Sequence, residues 1–276
     1  MNHSASGVSN MQSALMGVGD PAPIRLAGSA PPVLSFHGFG GTPLEIELVV
    51  EVARELGVSA YAPLLPGHGT DVSELARKGW LDWKRAAELA LDEIAPNGGR
   101  VIVAGLSLGS LLAAHLAATR PERVLALVML ANAAWLTAPF PAWPLALVAA
   151  LRLPDFSVPK LAADIADPEA RRTHLTYRRQ PMRAAIEVQR AGAIVQKELS
   201  RVRCPTLIVH GERDRVCPSA NAQRVAELLG TDDKRVVLLP RSRHIITRDL
   251  ERALLRRELQ RFLERILTGA QRPVEP

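Results

Sequence analysis

Short apolar runs bounded by turn residues alternate along this chain with longer amphipathic stretches, and that rhythm constrains its fold more than any other feature. The runs are Pro32–Phe36, Val58–Tyr61, Val101–Ala104, Val124–Leu130, Thr206–Val209 and Arg235–Leu239. They are too short for stable helices and too apolar for loops, so they read as buried strands. Between them lie helical stretches at Pro43–Leu56, Trp80–Ile94, Leu111–Thr119, Ser219–Leu229 and Leu250–Leu267. In the first of these, Leu44, Leu48, Val52 and Leu56 recur at four-residue spacing on one face. Strands that alternate with helices imply an α/β fold with a mostly parallel central sheet and helices on both faces. In such a sheet functional groups gather at the carboxyl ends of the strands.

One interval interrupts the rhythm. From Ala131 to Arg203 no strand is evident, while prolines stand at 139, 141, 144, 154, 159, 168 and 181. The expectation is an inserted helical lid over about 133–202, within a single domain spanning 22–270, flanked by an N-terminal tail (1–21) and a C-terminal tail (271–276). The lid carries Trp135, Phe140 and Trp143, which offer an apolar wall for an acyl chain. The same residues would serve equally well to pack the insertion against the body.

At 276 residues and 47% hydrophobic composition, the chain is large and apolar enough to bury its own core. The formal charge of +6 is spread through helices in which glutamates interleave with arginines, so no basic stripe suited to nucleic acid is expected. Cys204 and Cys217 flank one strand, and neither a disulfide framework nor metal-ligand spacing is indicated. The first twenty residues lack the pattern of a secretory leader, and Ala142–Leu153 is interrupted by Pro144 and shorter than the ~20 apolar residues of a membrane span. A cytoplasmic protein without stable membrane insertion is the expectation, its oligomeric state unspecified.

Chemistry enters at Gly105-Leu106-Ser107-Leu108-Gly109, between the run Val101–Ala104 and the helix that follows. A serine on a sharp strand-to-helix turn exposes its hydroxyl, and glycines on either side let backbone approach closely. Alone the pattern arises by chance in roughly one chain in ten of this size. A serine hydroxyl also needs a base, itself oriented by a carboxylate. His244 lies in the loop after the last run, and Asp214, in Gly211-Glu212-Arg213-Asp214, follows the run before it. Glu212 is the main rival acid, with Asp249 and Asp71 also near motif segments. His37 and His68 sit in glycine-flanked turns and are expected to hold those loops, while His115, on the helix after the elbow, and His210, at a strand end, are expected to pack in the core or behind the site residues.

The order Ser107, Asp214, His244, with Ser35–Pro43, Leu65-Pro66-Gly67-His68-Gly69 and Ser242–Thr247, resembles the α/β-hydrolases of the bacterial carboxylesterase and monoacylglycerol lipase group. That resemblance implies an α/β-hydrolase fold, a catalytic triad, no cofactor or metal, and a small-molecule ester with a short to medium acyl chain as substrate. It also implies an oxyanion hole made by the backbone amides of Phe39 and Leu108. The same fold and triad serve thioesters, carbon–carbon bonds and cofactor-free haloperoxidase chemistry, or persist in non-catalytic ligand-binding relatives. Two departures stand out. Arg243 and Ser110 occupy positions where the group commonly has glycine.

Overall fold

Residues 15–138, 156–160 and 162–270 are described in a computed structural model of the chain. The strands are β1 (Leu15–Met16), β2 (Ile24–Leu26), β3 (Ser29–Phe36), β4 (Val58–Ala62), β5 (Val101–Leu106), β6 (Val124–Leu130), β7 (Ser157–Pro159), β8 (Thr176–Tyr177), β9 (Arg179–Pro181), β10 (Thr206–Gly211) and β11 (Lys234–Leu239). The helices are α1 (Glu47–Glu55), α2 (Val72–Ala76), α3 (Trp80–Ile94), α4 (Leu108–Thr119), α5 (Pro168–Thr173), α6 (Met182–Glu198), α7 (Asn221–Leu228) and α8 (Arg252–Ala270). A seven-stranded sheet runs β11, β10, β6, β5, β3, β4, β2 from edge to edge. Each neighbouring pair is parallel except β2 with β4. Every apolar run of the sequence lies inside one of these strands.

Because successive side chains of a strand point to opposite faces, each run feeds two cores. Val101 and Val103 of β5 join one with Trp83 of α3 and Val188 of α6. Ile102, Ala104 and Leu106 join the other with Val52 of α1 and Leu259 of α8. Complete burial of such a Val or Leu contributes roughly 1.5–3 kcal/mol relative to exposure. Helix α4 is buried from Leu108 to Ala118, which explains its lack of a polar face. Among the described residues no helix is long and apolar enough to cross a membrane.

Three local expectations are corrected. The stretch Pro43–Leu56 is a 3-10 turn at Pro43–Glu45 followed by α1, because Ile46 leaves helical geometry at φ −114°. The interval read as strandless contains β7 paired antiparallel with β9, and β8 paired antiparallel with β1. The second pairing draws Leu15–Met16, inside the expected N-terminal tail, onto Thr176–Tyr177. These strands have two or three residues, too few for a period, and β1 finds its partner far along the chain. Residues 1–14 and 271–276 of the two tails lie outside the described residues.

Candidate active site

Ser107 closes β5 and opens α4 with φ +55° and ψ −115°, a left-handed conformation unusual for serine. Such strain costs on the order of 1–3 kcal/mol and persists only where surroundings enforce it. Here they do. The Ser107 N–H donates to Leu130 O at 2.9 Å and the Ser110 N–H to Ser107 O at 3.0 Å. A Cβ on Gly105 would lie 2.0 Å from Gly109 O, and one on Gly109 2.0 Å from Phe36 O. Both flanking glycines are therefore required by backbone contact. Ser110, where the resemblance favoured glycine, donates its hydroxyl to Ser107 O at 2.6 Å and so adds to the turn.

The registers Phe36–Gly105, Leu106–Leu130 and Gly211–Leu239 set the carboxyl ends of the sheet side by side, which brings loops far apart in sequence together. In the loop after β10, Asp214 Oδ1 accepts from the N–H groups of Val216 and Cys217, each at 2.8 Å. Its Oδ2 lies 2.8 Å from His244 Nδ1 and 3.0 Å from His210 Nε2. Burial alone would raise the carboxyl pKa, but His244 and His210 outweigh it and hold Asp214 well below the usual carboxylate range. Conversely, burial lowers His244, while the Asp214 charge and hydrogen bond, with Asp164 and Glu45 beyond, leave its pKa raised above 6.5. A proton on Nδ1 shared with Asp214 leaves His244 Nε2 as the free base.

The rival acids are elsewhere. Glu212 is exposed and uses its N–H on Leu239 O. Asp71 caps α2 through the Ser73 N–H. Asp249 accepts from the N–H groups of Arg243, Ala166 and Asp167, fastening the histidine loop to the insertion. Arg243 therefore keeps its loop anchored through its backbone, while its guanidinium lies 4.0 Å from Asp164. A Cβ on Gly211 would lie 2.3 Å from Arg243 O, so the acid and histidine loops touch through bare backbone.

The loop after β3 carries Phe39. Gly38 N–H donates to the buried Glu45 Oε2 at 2.8 Å, and Gly40 has φ +73°, a conformation open to glycine. His37 accepts from the Leu65 N–H at Nε2, 3.0 Å away, and donates from Nδ1 to Gly38 O at 2.9 Å. Burial lowers the pKa of His37, and takes His68 down to about 3 with help from His37, so both stay neutral supports of these turns. His115 pairs with Glu198 at 2.7 Å, joining α4 to α6. Leu108 is the first residue of α4, whose initial N–H groups have no partner within the helix.

Ser107, His244, Gly38 and Phe39 line one cavity of about 250 Å3. Ser107 Oγ and His244 Nε2 make no hydrogen bond to each other among the described residues; such contacts commonly tighten only around substrate. Trp135, expected in the acyl wall, is not among the described lining residues: its carbonyl accepts from Asn221 Nδ2 and its ring lies under Arg224, 5.7 Å away. Leu136, Val188, Val216 and Ile245 line the cavity instead. Phe140 and Trp143 lie outside the described residues.

Three polar groups near the site are His210 on Asp214, in keeping with the packing role expected for it, and Glu45 under Gly38 and Lys160 in the cavity wall, which had no signal in the sequence. No motif in the sequence marks the contact that any of them makes. Glu45 has its carboxyl lowered to about 2, because His174, with His37 and Lys160, outweighs the raising effect of burial. His174 Nε2 lies 3.0 Å from Glu45 Oε1, within ion-pair range though not aligned as a hydrogen bond.

Asp214, Cys217 and His244 present ligand atoms within 4.8 Å of one another, a spacing compatible with a metal ion. The chemistry disfavours it. Burial, with Asp214 and Asp164, raises the Cys217 thiol far above its usual range, and a thiolate is the form that binds metal.

Comparison with known proteins identifies the family. Residues 30–251 match the family model Hydrolase_4, described as serine aminopeptidase, S33. The chain is 28% identical to a thermostable monoacylglycerol lipase of Bacillus sp. strain H-257, over 84% of this chain and 88% of that protein. It is 26% identical to a carboxylesterase of Bacillus subtilis, over 91% and 99% respectively. Among solved structures, one described under LipS and LipT, two metagenome-derived lipolytic enzymes, superposes with TM-score 0.81 at 27% identity, covering 92% of this chain and all (100%) of that one. With its parallel sheet, its strained serine turn and a family match over most of its length, the chain belongs to the Hydrolase_4 family of α/β-hydrolases, a family of serine hydrolases.

Proposed function

We propose that the chain hydrolyses carboxylic esters of short to medium acyl chains through an acyl-enzyme on Ser107. The observation that carries this reading is the Asp214–His244 contact of 2.8 Å at the edge of the cavity that Ser107 lines. His244 Nε2 takes the Ser107 proton as Oγ attacks the ester carbonyl, and Asp214 stabilises the imidazolium. The amides of Phe39 and Leu108 donate to the oxyanion, an arrangement in which each donor is worth about 10²–10³ in rate. His244 then protonates the departing alcohol, and water attacks the acyl-enzyme along the reverse path. No step calls for a cofactor.

The insertion supports the substrate class. Leu136, Ala185 and Val188 supply an apolar wall to the cavity that Ser107 lines, which suits an acyl chain. Relatives named as a monoacylglycerol lipase and a carboxylesterase favour esters over the amides that the family description suggests.

Labelling with a fluorophosphonate, mapped by mass spectrometry, is expected to place a single adduct on Ser107. Turnover of p-nitrophenyl esters is expected to exceed that of acyl thioesters and p-nitroanilides, and to vanish in Ser107→Ala. An adduct on another residue, or full activity in that variant, overturns the assignment.

A further inference from the structure

Lys160 directly follows β7 and lines the same cavity as Ser107. The residue as a whole is partly exposed, but its ammonium sits against the buried Thr176 and beside Gly40, and desolvation there pulls its pKa below the usual lysine range against the raising effect of Glu45. Nζ donates to Thr176 Oγ1 at 2.8 Å, and that hydroxyl donates onward to Gly40 O at 2.7 Å. Among the described residues one of the three ammonium hydrogens is thus used. Among the described residues no carboxylate oxygen lies within 4.0 Å of Nζ.

The two carboxylates in the cavity wall are engaged elsewhere. Glu45 accepts from Gly38 N–H and faces His174. Asp164 accepts from the Arg215 N–H at 2.9 Å and lies near Arg243. An enclosed lysine is almost always paired, because its desolvation is otherwise uncompensated. We propose that Lys160 is a specificity residue whose free hydrogens pair with a carboxylate carried by the substrate, so that the preferred esters are singly anionic. This rests on the ester-hydrolase reading and narrows it. Because Lys160 lies beside Gly40 of the oxyanion loop, the anion sits within reach of the scissile ester.

The test compares matched esters in the wild type, Lys160→Met and Lys160→Arg. One pair is p-nitrophenyl hydrogen glutarate and p-nitrophenyl valerate, with the charge on the acyl side. The other is p-carboxyphenyl butyrate and phenyl butyrate, with the charge on the alcohol side. For at least one pair, the ratio of kcat/KM on the anionic ester to that on its neutral partner is expected to fall about tenfold or more in Lys160→Met, the scale of a lost hydrogen bond between charged groups. Lys160→Arg is expected to retain most of the ratio, and the loss is expected in KM rather than kcat. Ratios equal in wild type and Lys160→Met for both pairs overturn the proposal while leaving the esterase reading intact. A wild-type enzyme that turns over none of the four esters overturns both.

Discussion

At the ends of β3, β5, β10 and β11 the loops are set by backbone approaches too close for any side chain, with Glu45 and Asp249 beneath them, whereas the described part of the insertion between β6 and β10 is held mainly by side-chain polar groups, with bare backbone contact at Gly192. A Cβ on Gly105, Gly109 or Gly211 would fall 2.0–2.3 Å from a neighbouring carbonyl oxygen. In the insertion, Tyr177 donates to Gly67 O at 2.7 Å, Gln196 to Ala134 O at 2.6 Å, and Asp249 gathers the amides of Ala166 and Asp167. On the function proposed above, the strand ends set the geometry of bond making, with little freedom of composition at these glycines, and the insertion sets what enters. That proposal assigns reaction geometry and substrate choice to different parts of the structure.

The sharpest test of that division is Asp214→Asn. An amide there presents a donor toward His244 Nδ1 or inverts its tautomer, and kcat/KM is expected to fall about 10⁴-fold while the fold persists. The pH profile gives a second readout. Since Asp214 raises His244 above 6.5, wild-type kcat/KM is expected to fall as pH drops through a value above 6.5, and residual activity in Asp214→Asn to extend to lower pH. An unmoved acid limb would detach Asp214 from the base.

Next in size is Gly109→Ala. With Phe36 O only 2.0 Å from the new methyl, a loss of about 3 kcal/mol or more in unfolding free energy is expected, measured by urea denaturation. Near-normal stability would break the claim that the elbow is set by backbone contact.

Glu45→Gln probes a buried acid that supports a strand-end loop from below. Its folded pKa of about 2 lies under the ordinary 4.5, so the stability it supplies is complete above 4.5 and fades as pH falls toward 2. The variant is expected to lose a few kcal/mol at neutral pH and to show a flatter decline between those values. The same acid dependence in both proteins would remove Glu45 from the balance.

The smallest effect is expected from Phe39→Ala. The proposed donor is a backbone amide, and the ring packs on His68 and Trp83 at about 6 Å between centroids. Its kcat is expected to change by less than about tenfold, against the 10²–10³ of a lost donor. A larger loss would mean that the side chain itself sets the loop.

Much of the framework was legible because it is local. Runs such as Val124–Leu130 are complete strands, and the glycines around Ser107 state a turn in five residues. The serine, acid and histidine segments could be ordered along the chain, although Glu212 and Asp214 were separated only by the structure, where one is exposed and the other accepts from four donors. Trp135 shows the opposite case. Its aromatic ring marked it for the cavity, but nothing in a sequence tells a ring that packs beside Arg224 from one that lines a pocket.

The sequence by itself determined the alternating α/β architecture, the elbow at Ser107 and the segments that bear Asp214 and His244, because periodicity and turn chemistry are written in neighbouring residues. Only the tertiary structure decided that His210 shares Asp214, that Glu45 lies beneath Gly38, and that β1 pairs with β8. It alone left Lys160 enclosed beside the serine without a carboxylate partner among the described residues. Those relations, whether between near or distant positions, depend on burial and lost hydration. Their energies arise only when the chain has closed around them.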